Sequence, residues 1–331
     1  MQDVIYLETG SFDPAFNLAF EEYVLTHRTQ GDYLILWQNR NAVIIGRNQN
    51  TAQEVNSDFV AQNGISVVRR ITGGGAVYHD MGNLNYSFIT DAPDAQSISK
   101  DPFTKPIIDA LQGLGLDAAA SGRNDILVSG RKVSGIAQYI TRGRILHHGT
   151  LLFDSNPEMI TGALNPDPTK FQSKSVQSVR SRVGNIRSFL ASDMDLPEFW
   201  QYLRTFLGKS GMIPGKLADD ELAAIRKLKQ CKYDTWDWNY GKSPQYSLCC
   251  KHRWSSGLLE ACVSVKEGKI CAITFRGDFL SVYAPEILCE ALVGCPYQEE
   301  ALATVLKELP VSAYLGGITA RECIDTILNK V

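Results

Sequence analysis

Cysteine is missing from the first 230 residues; all eight lie between Cys231 and Cys323. Whatever chemistry that long N-terminal stretch performs, it has no thiol nucleophile. No C-x-x-C pair occurs and no histidine stands at zinc-ligand spacing, which argues against a structural zinc. Thiols set in apolar strand and helix patterns of a cytosolic chain read as small core residues. An excess of one charge is missing as well: a formal net charge of −3 leaves no general footprint for nucleic acid. No apolar run reaches membrane-spanning length. The opening MQDVIYLETG has neither the basic nor the apolar region of a secretory signal, so a cytoplasmic location is expected. The glycine fingerprints G-x-G-x-x-G and G-x-x-x-x-G-K-[ST] are absent, and so is a G-x-S-x-G elbow. Histidine is scarce, and His147 and His148, adjacent on an expected strand, point to opposite faces and cannot chelate together.

What is present begins with Arg69-Arg70-Ile71-Thr72-Gly73-Gly74-Gly75-Ala76-Val77-Tyr78-His79. The two arginines close a run from Ile65 that predicts a buried strand. Glycines lacking Cβ let a backbone press against a ligand and turn its N–H groups toward negative oxygen. Arginine adds fixed charge and forked donors suited to phosphate or carboxylate. Three glycines by themselves are more often an ordinary loop.

A chain of 331 residues accommodates one large and one small domain. Asp13-Pro14 predicts a helix start, with Phe16, Ala19, Phe20, Tyr23 and Val24 at helical spacing. Strands are expected at 33–37, 42–45, from 65, and at 84–89. Helices are expected at 54–62, closed by Gly64, and at 106–114. Residues 125–128, 132–140 and 145–153 read as an antiparallel meander turning at Ser129-Gly130 and Arg142-Gly143. Helices follow at 157–164, 196–207 and 219–229. The stretch WDWNYGKSPQ, 236–245, reads as a junction. Beyond it come strands at 246–253 and 258–275, with a turn at Glu267-Gly268, and helices at 285–293, 298–309 and 319–329. The layout is α+β.

Two further segments carry chemistry. In 121–137, Lys132 opens a strand whose small residues Ser134, Gly135 and Ala137 leave room for a ligand. Its ammonium could neutralise a carboxylate and a phosphate together. Asp125 could hold magnesium, which prefers carboxylate plus phosphate oxygens. A hairpin with a solvated basic turn is the plainer alternative. In 170–187, Lys170, Lys174, Arg180, Arg182 and Arg187 stand with no acid among them. That is either a solvated loop or a lid ordering over a phosphate ester.

Taken in order, RRITGGGAVYHD (69–80), GRNDI (122–126), RKVSGIA (131–137), HHGTLL (147–152), SVRSRV (178–183) and the WDWNYGKSP junction resemble lipoate–protein ligase. The resemblance spans essentially the whole chain. It implies a catalytic domain over 1–240 of the biotin/lipoate ligase-like α+β fold, with a mixed, largely antiparallel sheet. A small α+β accessory domain follows over 241–331. The implied reaction has two steps. Lipoate and ATP with Mg2+ give lipoyl-adenylate and pyrophosphate; the ε-amine of a lysine on a lipoyl domain then takes the lipoyl group as an amide. The implied acceptors are E2 subunits of 2-oxoacid dehydrogenases and the glycine cleavage H protein, with no nucleic-acid or membrane partner. By position, Arg70 and the backbone of Gly75, Ala76, Val77 and Tyr78 match the nucleotide loop. Lys132 matches the catalytic lysine that meets both lipoate and the adenylate. Arg180 and Arg182 fall in the adenylate-covering loop. Lipoate contacts are assigned to Arg70, Gly73, Gly74, Gly75, His79 and Lys132, and a magnesium contact to Asp125. Family analogy also implies a shift of the small domain between half-reactions.

Three alternatives stand beside this. An octanoyl or lipoyl transferase working from a carrier protein would rely on a cysteine that the catalytic domain lacks. A biotin ligase would carry a Gly-Arg-Gly-Arg loop, absent here. A non-catalytic lipoate binder has no need of both Arg70 and Lys132.

Overall fold

The computed structural model describes residues 4–49, 51–92, 100–122, 124–164, 183–240, 248–266 and 268–329. Helix α1 (Pro14–His27) starts as its sequence predicts: the Asp13 carboxylate accepts from the Ala15 and Phe16 amides, with Pro14 in the first turn. It is buried on most sides, and it carries Asn17 and Glu21 into the interior along with Leu18, Phe20 and Val24. Such polar side chains need partners there.

Strands are numbered in chain order. One eight-stranded sheet runs β11 (Met212–Pro214), β1 (Val4–Glu8), β2 (Asp32–Trp37), β6 (Asn83–Asp91), β10 (Arg144–Leu152), β9 (Arg131–Thr141), β8 (Asp125–Val128), β7 (Ala118–Ser121). β11, β1 and β2 are parallel and every other neighbour is antiparallel. A smaller sheet runs β4 (Ser66–Arg69), β3 (Ala42–Ile45), β5 (Val77–His79). Period-two alternation sends Leu34, Leu36, Leu84 and Tyr86 to one core and Tyr33, Ile35, Trp37 and Ile89 to another, beneath α1. The meander forms as expected. Ser129, Gly130, Arg142 and Gly143 all have positive φ, as two-residue turns that follow strand twist require.

Several elements depart from expectation. The helix expected over 54–62 is two short ones, α2 (Thr51–Glu54) and α3 (Ser57–Gln62), because the Asn56 side chain accepts from Phe59 N and restarts the helix. The helix expected from Pro106 begins at Asp101 (α4, Asp101–Gly113). Pro102 occupies its first turn, and Pro106 sits inside, where it forfeits one backbone bond. α5 (Pro157–Ala163) and α6 (Leu196–Leu207) match, while α7 (Asp219–Leu228) continues into a wider π-turn at Lys229–Tyr233. Strands β1, β5, β7 and β11 were not expected; each has five residues or fewer.

The C-terminal part has its own core, built by β12 (Leu248–Trp254), β13 (Gly257–Lys266), β14 (Lys269–Gly277) and helices that include α9 (Glu286–Leu292), which follows α8 (Trp236–Asn239) in chain order. Cys295 and Cys323 are buried in it, as core thiols should be. Cys249 and Cys262 instead form a disulfide, because antiparallel register places them directly opposite. Sequence spacing does not reveal that register. Among the described residues no helix is long and apolar enough to cross a membrane.

Candidate active site

A cavity of about 130 Å³ lies between the two N-terminal sheets. Its floor is one row of the large sheet: Gly135 on β9, Thr150 on β10, Asn85 on β6 and Trp37 on β2, joined pairwise by register or hydrogen bond. Its roof is Ile44, Val77, His79 and the glycine loop, and Leu18 of α1 closes one side. Small residues at the β9 end and apolar ones toward β2 make a narrow slot with a cation, Lys132, at one end.

The two arginines do different work because neighbours on a strand face opposite ways. Arg69 spends its guanidinium on carbonyls: Nη1 donates to Gly46, Arg47 and Gln49, Nε to Trp238, and Nη2 to Asn239 and the Thr51 hydroxyl. The Trp238 indole donates to Arg69 O in return, and Asn239 Oδ1 accepts from Arg69 N at 2.9 Å. The WDWN segment is therefore helix α8, clipped to the large domain. Arg70 lines the cavity and frames the loop: Nη2 donates to Gly73 O at 2.6 Å and Gly75 O at 2.9 Å, Nε to Thr72 Oγ1, and Nη1 to Ile44 O. Burial lowers both guanidinium pKa values to about 10.

The glycines also divide. Gly74 holds φ +91, and its N–H donates to Phe279 O of the C-terminal part at 3.2 Å. A Cβ on Gly73 would stand 2.7 Å from the same oxygen. Gly75 alone has open space where a Cβ would be. Gly74, Gly75, Ala76 and Val77 line the cavity; Gly73 and Tyr78 do not, and the Tyr78 hydroxyl donates to Asn41 on the far side.

Lys132 lines the cavity, and its Nζ is 2.7 Å from Asp125 Oδ1. The chain beyond 182 returns beside it: Val183 pairs with Lys132, and Gly184 N donates to Lys132 O. Arg180, Arg182, Lys170 and Lys174 lie outside the described residues; Arg187 is exposed and paired with Asp154 and Asp193.

Behind the loop runs a buried chain of hydrogen bonds. Glu21 meets His148 Nδ1 at 2.9 Å, His148 Nε2 meets Thr72 Oγ1 at 2.8 Å, and Thr72 Oγ1 accepts from Arg70. Ser87 links Trp37 to Glu21. His147 points to the opposite face, stacked on Phe103 at 4.9 Å, as strand alternation predicts. His79 is 3% exposed, and burial, helped by Arg70 and His148, lowers its pKa to about 3. Sequence reasoning missed Glu21, Trp37, Asn85 and His148. A trace existed: Trp37, Asn85 and His148 all fall on the inward parity of their strands, and a polar residue there needs a reason.

Residues 13–208 match the family described as lipoyl protein ligase A/B catalytic domain, and residues 243–327 match bacterial lipoate protein ligase C-terminus. Lipoate-protein ligase LplJ of Bacillus subtilis is 42% identical over 95% of this chain and 97% of its own length. The chain belongs to the lipoate–protein ligase family. Lipoate–protein ligase 1 of Staphylococcus aureus is also 42% identical, over 94% of this chain and 96% of its own. Among solved structures, P. falciparum LipL1 in complex with lipoate superposes with a TM-score of 0.80 at 24% identity, covering 98% of this chain and 99% of that one, and shares the fold. A lipoate-protein ligase A bound with ATP superposes at 0.62 with 27% identity, over 72% of this chain and 98% of its own. As a lipoate–protein ligase, the chain is an enzyme that joins lipoate to proteins.

Proposed function

We propose that this ligase activates free lipoate with ATP in the slot between the two sheets and passes it to a lysine of a lipoyl domain. The observation that carries this is the shared cavity: Lys132, the free face of Gly75 and the apolar side chains of Leu18, Ile44 and Trp37 line one space. A carboxylate attacking an α-phosphate brings anions together, so donors must stand where charge develops. On this reading Lys132 Nζ receives the lipoate carboxylate and the α-phosphate, and the backbone of 75–78 receives the nucleotide. Arg70 holds the loop carbonyls so that the N–H groups face inward, and His79 contacts lipoate. Arg180 and Arg182 cover the adenylate. Asp125, a half-buried carboxylate beside Lys132, suits magnesium held mainly by phosphate oxygens. Among the described residues no group of three or more ligating side chains competes for the ion. Bound there, magnesium would neutralise phosphate charge. In the second step the acceptor amine attacks the mixed anhydride, AMP leaves and an amide forms. No protein nucleophile is required.

On this reading residues 1–240 are the catalytic domain and 241–331 the accessory domain, working in the cytosol. Acceptors are E2 subunits and the glycine cleavage H protein. Lipoate-dependent exchange of pyrophosphate into ATP tests the reading. Its appearance supports a ligase; its absence leaves a carrier-dependent transferase or a binder.

A further inference from the structure

The far end of the slot holds a donor without an acceptor. Asn17 Nδ2 donates to the carbonyls of Ser11 and Gln38, which fixes that amide; the atom of Asn39 facing it at 2.9 Å is therefore Oδ1. Asn39 consequently turns its Nδ2 to His79 Nδ1, at 3.1 Å. A ring nitrogen that accepts carries no proton, so the neutral imidazole keeps its hydrogen on Nε2. That Nε2 is buried and has no partner among the described residues, while the ring lines the cavity. A buried N–H with nothing to meet is rare in folded proteins.

Its place along the slot suggests what it meets. Lys132 and Gly135 stand on β9; Trp37, whose indole lies edge-on to His79 at 6.4 Å, stands on β2. Three strand spacings separate them, about 14 Å. An acid anchored by its carboxylate at Lys132 and laid across the strands brings its other end to Trp37 and His79. In lipoate that end is a dithiolane ring with two sulfur atoms; in octanoate it is a methyl group.

We infer that His79 is the specificity-determining residue for the dithiolane, its Nε2–H donating to a ring sulfur. This rests on the ligase reading above and adds a preference to it. Sulfur is a weak acceptor, but an alkyl end strips water from the N–H and returns nothing. Rejection by an unmet buried donor is stronger than the bond itself.

The test measures kcat/KM for lipoate and for octanoate in pyrophosphate exchange. In His79→Leu the lipoate-to-octanoate ratio is expected to fall about tenfold, with octanoate gaining. Asn39→Leu, which frees Nδ1 to take the proton, moves the ratio the same way by less. An unchanged ratio, or equal losses for both acids, overturns the proposal, since equal losses mean that His79 serves the carboxylate or the fold. Should His79→Leu not fold, 15N spectra of histidine-labelled wild-type protein decide. Lipoate should shift the His79 Nε2 resonance and octanoate should not; the same response to both overturns it. Wild-type protein without any lipoate-dependent exchange refutes the ligase reading instead, and the titration still reports on His79.

Discussion

Lys132 is one-third exposed, and its Nζ reaches past the cavity wall to within 2.7 Å of Asp125 Oδ1. Lys132→Ala should therefore fold normally and lose adenylate formation by about 10²–10³-fold, read by pyrophosphate exchange. Normal rates would remove the lysine from the reaction. His79 and His147 make a different prediction. Both imidazoles are held neutral, with pKa lowered to about 3 chiefly by burial. The unfolded chain binds protons on them from pH 6.5 downward and the folded one does not, so stability is full above 6.5 and falls as pH drops toward 3. Each contributes a slope of about 1.4 kcal/mol per pH unit. Urea titrations between pH 7 and 5 should show the fall, and His147→Phe should flatten it. At this scale the sequence showed which residues mattered better than it showed what they do. Arg70 and Lys132 stand out by their neighbours. Nothing in a doublet of arginines says which one faces carbonyls of a distant segment; strand alternation says only that they differ.

Elements were legible where local chemistry decides them. Asp13-Pro14 caps α1, and glycine-containing pairs close both hairpins of the meander. They were illegible where distant partners decide. Strand β5 is three residues long and exists because β3 lies beside it, and β11 because β1 does. Helix α8 is of this kind: four residues held by Arg69 and Thr51 rather than by their own propensity. Asn239→Ala removes the acceptor of a buried backbone N–H and should cost about 1–3 kcal/mol in chemical denaturation. A loss below a few tenths would mean that the clip is incidental.

Across the whole molecule, the C-terminal part is seated on the glycine loop and the strands beside it. Gly74 N donates to Phe279 O, Gly277 N to Asn48 O, Ile140 N to Val282 O, and Asn48 Nδ2 to Ser281 Oγ. In this arrangement the Gly74 N–H is committed to Phe279 and is not offered to a phosphate. Small-angle scattering is expected to differ between free and adenylate-bound protein, as the small domain gives up those contacts. Gly73→Ala, whose methyl meets the backbone of Phe279 and Ser281, should shift the free protein toward the bound profile. Identical curves throughout would tell against the movement. One adjacency ties this to the chemistry. Arg69 fastens helix α8, and Arg70, one peptide bond away, frames the loop that lines the cavity. A pull on α8 is therefore felt at the loop through a single rigid amide, with no longer pathway needed.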